Sequence, residues 1–248
     1  EKFKVSGRGQ LHLGILLETM RREGFEVEIS APEVIYKTID GKKCEPFEKL
    51  LIHVEEKYQG VVMEMLGRRK AELQNLAPEG DGKLLMEFRI PARGLIGLRS
   101  QFVTETRGTG MINHHFLDYE PYCGVIERRA KGALISMERG FATAYSLDSL
   151  QPRGILFLGP TDEVYEGMIL GEHSRSNDLE VNPAKKKKLT NMRSSGADDA
   201  VRLSPPRRMI LEEALEWINN DELIELTPKA VRLRKKFLKA VDRKRSAK

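Results

Sequence analysis

The sequence predicts an α+β chain, and three observations carry that reading. A strand, an Arg-Gly corner, a helix, a glycine stop and a second strand occur in that order twice, about 85 positions apart. After about residue 125, short apolar runs are broken by Gly, Pro and Asp, as in a small antiparallel sheet or barrel. A basic tract without helical or strand periodicity then precedes two helix-start signals, Ser204-Pro205-Pro206 and Thr227-Pro228.

In the first copy, Leu13, Leu16, Leu17 and Met20 recur at helical spacing, and Gly24 stands where a helix stops. Alternation of Phe25, Val27 and Ile29 marks the strand that follows. In the second copy Leu95, Leu98 and Phe102 form the stripe and Gly108 the stop. Between them lie a strand at Leu50–Val54 and a helix with Val62, Leu66 and Leu73 on one face. Pro78–Gly82 then turns into a strand over Leu84–Ile90. Residues 47–124 thus spell β-α-β-β-α-β, a complete ferredoxin-like unit, and residues 1–46 spell half of one. Residues 125–248 are a Gly-rich, β-rich domain with strands in ALISME, FATAYSL, GILFLG and EGMILGEH, then the basic loop and terminal helices. Ile210, Leu211, Ala214, Leu215 and Ile218 are the expected buried stripe of one helix, and Ala230, Leu233, Phe237 and Val241 of the last. The start at Glu1-Lys2, without methionine or signal-peptide pattern, reads as a fragment or processed product.

Charge is unevenly placed. Residues 183–248 carry 18 Lys or Arg against 9 Asp or Glu, and residues 1–182 carry 24 against 28. A basic excess confined to the last quarter is the footprint of a polyanion partner. Within it, Pro183–Arg208 (PAKKKKLTNMRSSGADDAVRLSPPRR) holds eight cations, two Asp and no aromatic residue. Lys185, Lys186, Lys187 and Lys188 repel one another and cannot enter a core. Asn191, Met192 and Arg193 add side chains able to make specific contacts. Arg202, Arg207, Arg208, Lys235 and Lys236 flank the tract as further cations, the last two on the expected final helix. Without aromatic rings the tract suits phosphate and 2′-hydroxyl contact with folded RNA rather than stacking on single strands. Docking of an acidic protein is the alternative reading.

Other chemistries find little support. No phosphate-binding G-x-x-x-x-G-K-[ST] loop occurs. Ser6-Gly7-Arg8-Gly9 could hold an anion at a helix start, but Arg93-Gly94 repeats the corner without the preceding glycine, which favours a structural turn. His114 and His115 are adjacent and on a strand point to opposite faces, and no metal site is expected. No nucleophile motif appears, so a hydrolase would need a site assembled from scattered residues. Cys44 and Cys123 form no disulfide framework, and a reducing cytoplasm is the expected compartment. No apolar stretch reaches the ~20 residues of a membrane helix.

At this point the residues carry a resemblance. SGRGQLHLGILLETMRREGFEVEISAPEVIYK resembles the third domain of translational GTPases of the elongation factor G superfamily. IPARGLIGLRSQFVTETRGTGMINHHF followed by YEPY resembles the fifth domain, in the version of the BipA (TypA) family. The tract from Glu163 to Phe237 is similar to the C-terminal domain peculiar to that family. The resemblance implies a ribosome-binding module of a GTPase linked to large-subunit assembly and to stress or cold adaptation. Its implied partners are the ribosome, large-subunit rRNA and A-site tRNA, with Lys185–Lys188, Asn191, Met192 and Arg193 as the probing tip. GTP and Mg²⁺ belong to the family's GTPase domain, so these residues are expected to hold no cofactor, and a monomer is expected. Gln10 stands where the family usually has Glu.

Overall fold

The structure, a computed structural model, describes residues 2–186 and 202–246. The elements run α1 (Gln10–Arg22), β1 (Val27–Ser30), β2 (Lys37–Ile39), β3 (Lys42–Glu55), α2 (Gln59–Arg68), β4 (Glu72–Gly80) and β5 (Lys83–Pro91). Next come α3 (Leu98–Glu105), β6 (Met111–Pro121), β7 (Ala133–Ser136), β8 (Gly140–Phe141), α4 (Ala144–Leu150), β9 (Gly154–Leu156) and β10 (Glu163–Val164). The chain continues with β11 (Ile169–His173), β12 (Leu179–Val181), α5 (Leu211–Trp217), β13 (Glu222–Leu226), β14 (Val231–Lys235) and α6 (Ala240–Ser246). Two compact units result, residues 32–128 and residues 1–31 with 129–248. This grouping differs from a division after residues 46 and 124, because β3 crosses the first boundary and β1 pairs with β13 instead of joining residues 32–46.

From β3 to β6 the element order is β-α-β-β-α-β, the order read from the sequence for residues 47–124, and β2 precedes it in the 32–128 unit. The strands lie β4-β5-β3-β6, all antiparallel, and β2 pairs with the start of β3. Alternation decides the buried face. Leu50, Ile52 and Val54 of β3 and Met86, Phe88 and Ile90 of β5 pack against Val62, Met65, Leu66, Leu98 and Phe102 from the two helices. Gly108 ends the second helix at φ +77°, and Gly24 ends α1 at φ +94°, both in the left-handed region that glycine enters without strain. Leu73 is a correction. α2 stops at Arg68, Lys70 reverses the chain at φ +60°, and Leu73 stands exposed on β4.

His114 and His115 both fall on β6, on opposite faces. His114 Nδ1 hydrogen-bonds Glu48, and that bond, stronger than the opposing effects of burial and Arg99, raises its pKa. A raised folded pKa means the stabilisation is complete below the unfolded value, about 6.5, and is lost as pH rises through the folded value. The His114 ring protons are therefore expected to titrate above pH 6.5 by NMR. Glu48→Gln should return that midpoint toward about 6.5, and an unchanged midpoint would refute the assignment.

The other unit holds a β1-β13-β14 sheet, a β12-β7-β11-β9 sheet and the β8-β10 pair. Ile135, Ile169, Leu211, Leu215, Ile218, Ile224 and Leu233 form one core, against which Leu17 of α1 packs. Leu134, Leu147, Leu150, Leu158, Leu170 and Val181 form a second. β1 takes only β13 as partner among the described residues and so lies at the sheet edge.

Several expected elements differ. Residues 3–5, read as a strand, are not in one. FATAYSL divides into the end of β8 and the start of α4, because Thr143 caps the helix by accepting the Ser146 N–H at 3.1 Å. In α5 the buried set includes Trp217, whereas Ile210 precedes the helix and is exposed. The helix expected after Thr227-Pro228 is a hairpin. Thr227 N–H donates to Ala230 O and Ala230 N–H to Thr227 Oγ1, each at 3.0 Å. That closes a turn at Pro228-Lys229 and sets β14 against β13. Among the described residues beyond it, only 240–246 are helical.

Candidate nucleic-acid interface

The two described flanks of the basic tract are held by one short helix. At the N-terminus of α4, Thr143 donates its hydroxyl to Lys185 O at 2.6 Å and its N–H to Pro183 O at 3.0 Å. One turn along, Ser146 Oγ donates to Asn182 O at 2.5 Å. Just beyond the C-terminus, Gln151 clasps the other flank: its Nε2 donates to Arg202 O at 3.1 Å and its Oε1 accepts from Ser204 N–H at 2.6 Å. Leu203 packs on the core beneath α4, and Arg207 N–H donates to Leu156 O at 2.8 Å. At 1.5 Å rise per residue, roughly 12 Å of helix axis separates the two clamps.

Lys185, Lys186 and Arg202 are exposed at these clamps. Arg207 and Arg208 are exposed too, but each has an acidic neighbour. Arg207 lies 3.7 Å from Glu213, and Arg208 lies 2.9 Å from Asp162. Surface pairs of this kind are weak and leave the cations open to exchange for phosphate. Lys236 is exposed, with Nζ donating to Asn220 O at 3.1 Å. Lys187, Lys188, Asn191, Met192 and Arg193 lie outside the described residues.

Lys235 is a correction. It closes β14 rather than riding on a helix, and its side chain is 3% exposed. Its ammonium lies 2.6 Å from Asp178, 2.7 Å from Asp221 and 2.9 Å from Glu222. Burial pushes its pKa down, but the Glu222 charge and the three hydrogen bonds outweigh that, and the net shift is upward. A donor surrounded by three carboxylates is a structural centre, not a phosphate contact. The signal was the alternation in VRLRK, with Val231, Leu233 and Lys235 on one side, and the paired Asp221-Glu222 upstream.

The same ammonium decides the metal question for that triad. The carboxylate oxygens lie within 4.8 Å of one another, close enough to share a cation, and Lys235 is the cation they share. The hydrolase alternative has a cleft of about 310 Å³ to consider, lined by Phe157, Asp162, Glu163, Arg208, Lys229 and Arg232 among others. Neither a Ser, Cys nor His lines it, and Asp162 is held by Arg208 and the Gly159 N–H. Among the described residues, no helix is long and apolar enough to cross a membrane.

Comparison with known proteins agrees with this layout. Residues 42–130 match the family model described as elongation factor G C-terminus, and residues 131–240 that of the TypA/BipA C-terminal domain. "Large ribosomal subunit assembly factor BipA" of Escherichia coli K12 is 53% identical over 247 residues, 99% of this chain and 41% of that protein. The protein of the same name from Haemophilus influenzae is 53% identical over 247 residues, 99% of this chain and 40% of its own length. That of Synechocystis is 49% identical over 235 residues, 95% of this chain and 39% of its own. The chain thus spans about two fifths of the length of these relatives. Two modules in tandem across residues 42–240, with about half the positions identical along nearly the whole chain, make this chain a member of the BipA family, whose C-terminal modules it carries.

Proposed function

We propose that this chain is the ribosome-docking part of a BipA-type large-subunit assembly factor, and that it grips folded rRNA through the basic tract between Pro183 and Arg208. The observation that carries this reading is the pair of clamps on α4. They bring Lys185-Lys186 and Arg202 to the two ends of one rigid element, beside the exposed Arg207 and Arg208. Lys185, Lys186 and Arg202 are anchored to the fold through their backbone, which lowers the ordering cost of binding at these residues. Contact with A-site tRNA, and a place in stress or cold adaptation, belong to the same reading. The relatives are named for large-subunit assembly, and no nucleotide chemistry is assigned to these residues.

The test is salt-dependent binding to large ribosomal subunits. Neutralising Lys185–Lys188 and Arg193 together should reduce the slope of log Kobs against log salt by about four, if each cation meets one phosphate. Purified rRNA fragments should compete with the subunits for the intact chain. An unchanged slope, or no competition by rRNA, would refute RNA docking, and the latter result would favour an acidic protein partner.

A further inference from the structure

The basic tract has no aromatic residue, yet the fold brings two exposed rings to its base. Phe141, on β8, is 64% exposed, and Tyr145, in the first turn of α4, is 43% exposed. They flank Thr143, the residue that binds the Lys185 carbonyl. Residues 138–146 and 182–185 run side by side. Asn182 Nδ2 donates to Glu138 Oε2 at 2.8 Å, and a Cβ added to Gly140 would stand 3.1 Å from Ala184 Cβ. Lys185 and Lys186 therefore lie on the segment that runs beside the one bearing both rings. Arg139, with its side chain 81% exposed, adds a third cation two residues before Phe141.

Neither ring is exposed for lack of order around it. Phe141 is paired with Glu163 across β8-β10, and Ala142 N–H donates to Asp162 O at 2.9 Å. Tyr145 is fixed by the Thr143 cap and by Ser146, which holds Asn182. Each ring is thus a large apolar surface presented to water on a rigid support. Of the nearby acids, Glu138 accepts from Asn182, and Glu163 lies 3.5 Å from Arg139 in an exposed pair weak enough to give way to phosphate. Rings on rigid elements beside exposed cations are what successive unpaired nucleotides need, since the rings stack on bases while the cations meet phosphates.

We propose that Phe141 and Tyr145, with Arg139, Lys185 and Lys186, form a stacking platform for unpaired RNA nucleotides. The proposal rests on the RNA-docking reading and sharpens it from folded RNA in general to RNA with unstacked bases at this face. A protein partner is disfavoured because two of the three cations beside the rings are lysines, a residue type depleted at protein interfaces.

The test measures fluorescence anisotropy of the full chain with three RNAs: an adenylate oligomer of about a dozen nucleotides, its abasic equivalent, and a hairpin duplex. The intact chain should bind the adenylate oligomer about tenfold or more tighter than the abasic one. Phe141→Ala/Tyr145→Ala should erase that difference and leave the salt slope unchanged, because no charge is lost. Phe141→Tyr and Tyr145→Phe should retain it, and Phe141→Leu/Tyr145→Leu should not. Lys185→Gln/Lys186→Gln should lower the slope by roughly 1.4 on single strands. Trp217 fluorescence checks that each variant folds.

Equal binding of adenylate and abasic oligomers by the intact chain, with the hairpin still bound, would overturn the platform and leave RNA docking standing. So would an adenylate preference retained in the double alanine variant. A double variant that loses large-subunit binding but not oligomer binding would also overturn it, in favour of a protein contact. Failure to bind any of the RNAs at about 50 mM salt would sink both readings.

Discussion

Lys235→Met is expected to destabilise the unit formed by residues 1–31 and 129–248 by about 3–5 kcal/mol, the cost of removing one partner from the fully buried Glu222. Glu222 is fully buried and is shared between Lys235 and the bidentate guanidinium of Arg129, at 2.9 and 3.1 Å. Arg129 also stacks over the Trp217 ring at 3.6 Å, and Asn219 N–H donates to Glu222 at 2.8 Å. Removing the ammonium leaves Asp178, Asp221 and Glu222 facing one another with one cation nearby. Trp217 is the chain's only tryptophan, so its fluorescence reports on this unit directly. The urea midpoint should fall by roughly 2 M for a typical dependence on denaturant.

The pH window follows from the same groups. Burial pushes the Asp178 carboxyl up, but the Lys235 hydrogen bond, the Ala133 N–H and the charges of Lys235 and Arg129 bring it net below its usual value. Its contribution is therefore present above the unfolded pKa, about 3.9, and is lost as pH falls through the lowered folded value. Lys235 is shifted up, so its contribution is complete below about pH 10.4 and is lost only above that. The destabilisation by Lys235→Met should stay level between about pH 5 and 10. A loss below about 1 kcal/mol, or a strong pH dependence inside that window, would contradict the network described here.

Arg93→Ala is expected to cost about 3–5 kcal/mol in the 32–128 unit, for the same reason in a different core. The Glu45 side chain is fully buried, and the Arg93 guanidinium bonds both its oxygens. Arg93 also donates to Gly124 O and lies 3.4 Å from Cys123 Sγ and 4.5 Å from the Tyr122 ring centroid. Glu45 takes one more donor, the Cys123 N–H at 2.9 Å. Arg93→Lys should recover only part of the loss, because an ammonium cannot reproduce the forked geometry. Glu45→Met/Arg93→Met should be milder than Arg93→Ala alone, since it removes the stranded charge along with its partner. Far-UV circular dichroism in urea would show the order of the three variants. A double variant no better than the single one would mean the pair is not the source of the effect.

Arg93 also shows how far a repeated sequence pattern can be trusted. SGRG and ARG read as the same strand-to-helix corner, and both do lead into helices. Arg8 stands exposed, whereas Arg93 is half-buried and holds the buried Glu45, and Gly94 is pressed so close that an added Cβ would lie 2.9 Å from Arg69 O. Local pattern specified the turn. The role of the arginine came from Glu45 and Gly124, about 48 and 31 positions away in sequence, which no local pattern reports.

The sequence by itself determined the β-α-β-β-α-β order that β3 through β6 follow and the helix stops at Gly24 and Gly108. It also located the basic excess in the last quarter and revealed the family resemblance. Period-two and period-3.6 burial, left-handed glycines and net charge are local or additive properties, so they can be read in one dimension. Only the tertiary structure decided that Lys235 is a core cation and that the Thr227–Pro228 signal opens a hairpin. It alone clamped both flanks of the basic tract to α4 and set Phe141 and Tyr145 beside Lys185. The reason is the same each time. Whether a charge meets water, a carboxylate or an aromatic ring depends on which distant strand or helix packs beside it, and that is a property of the folded contacts.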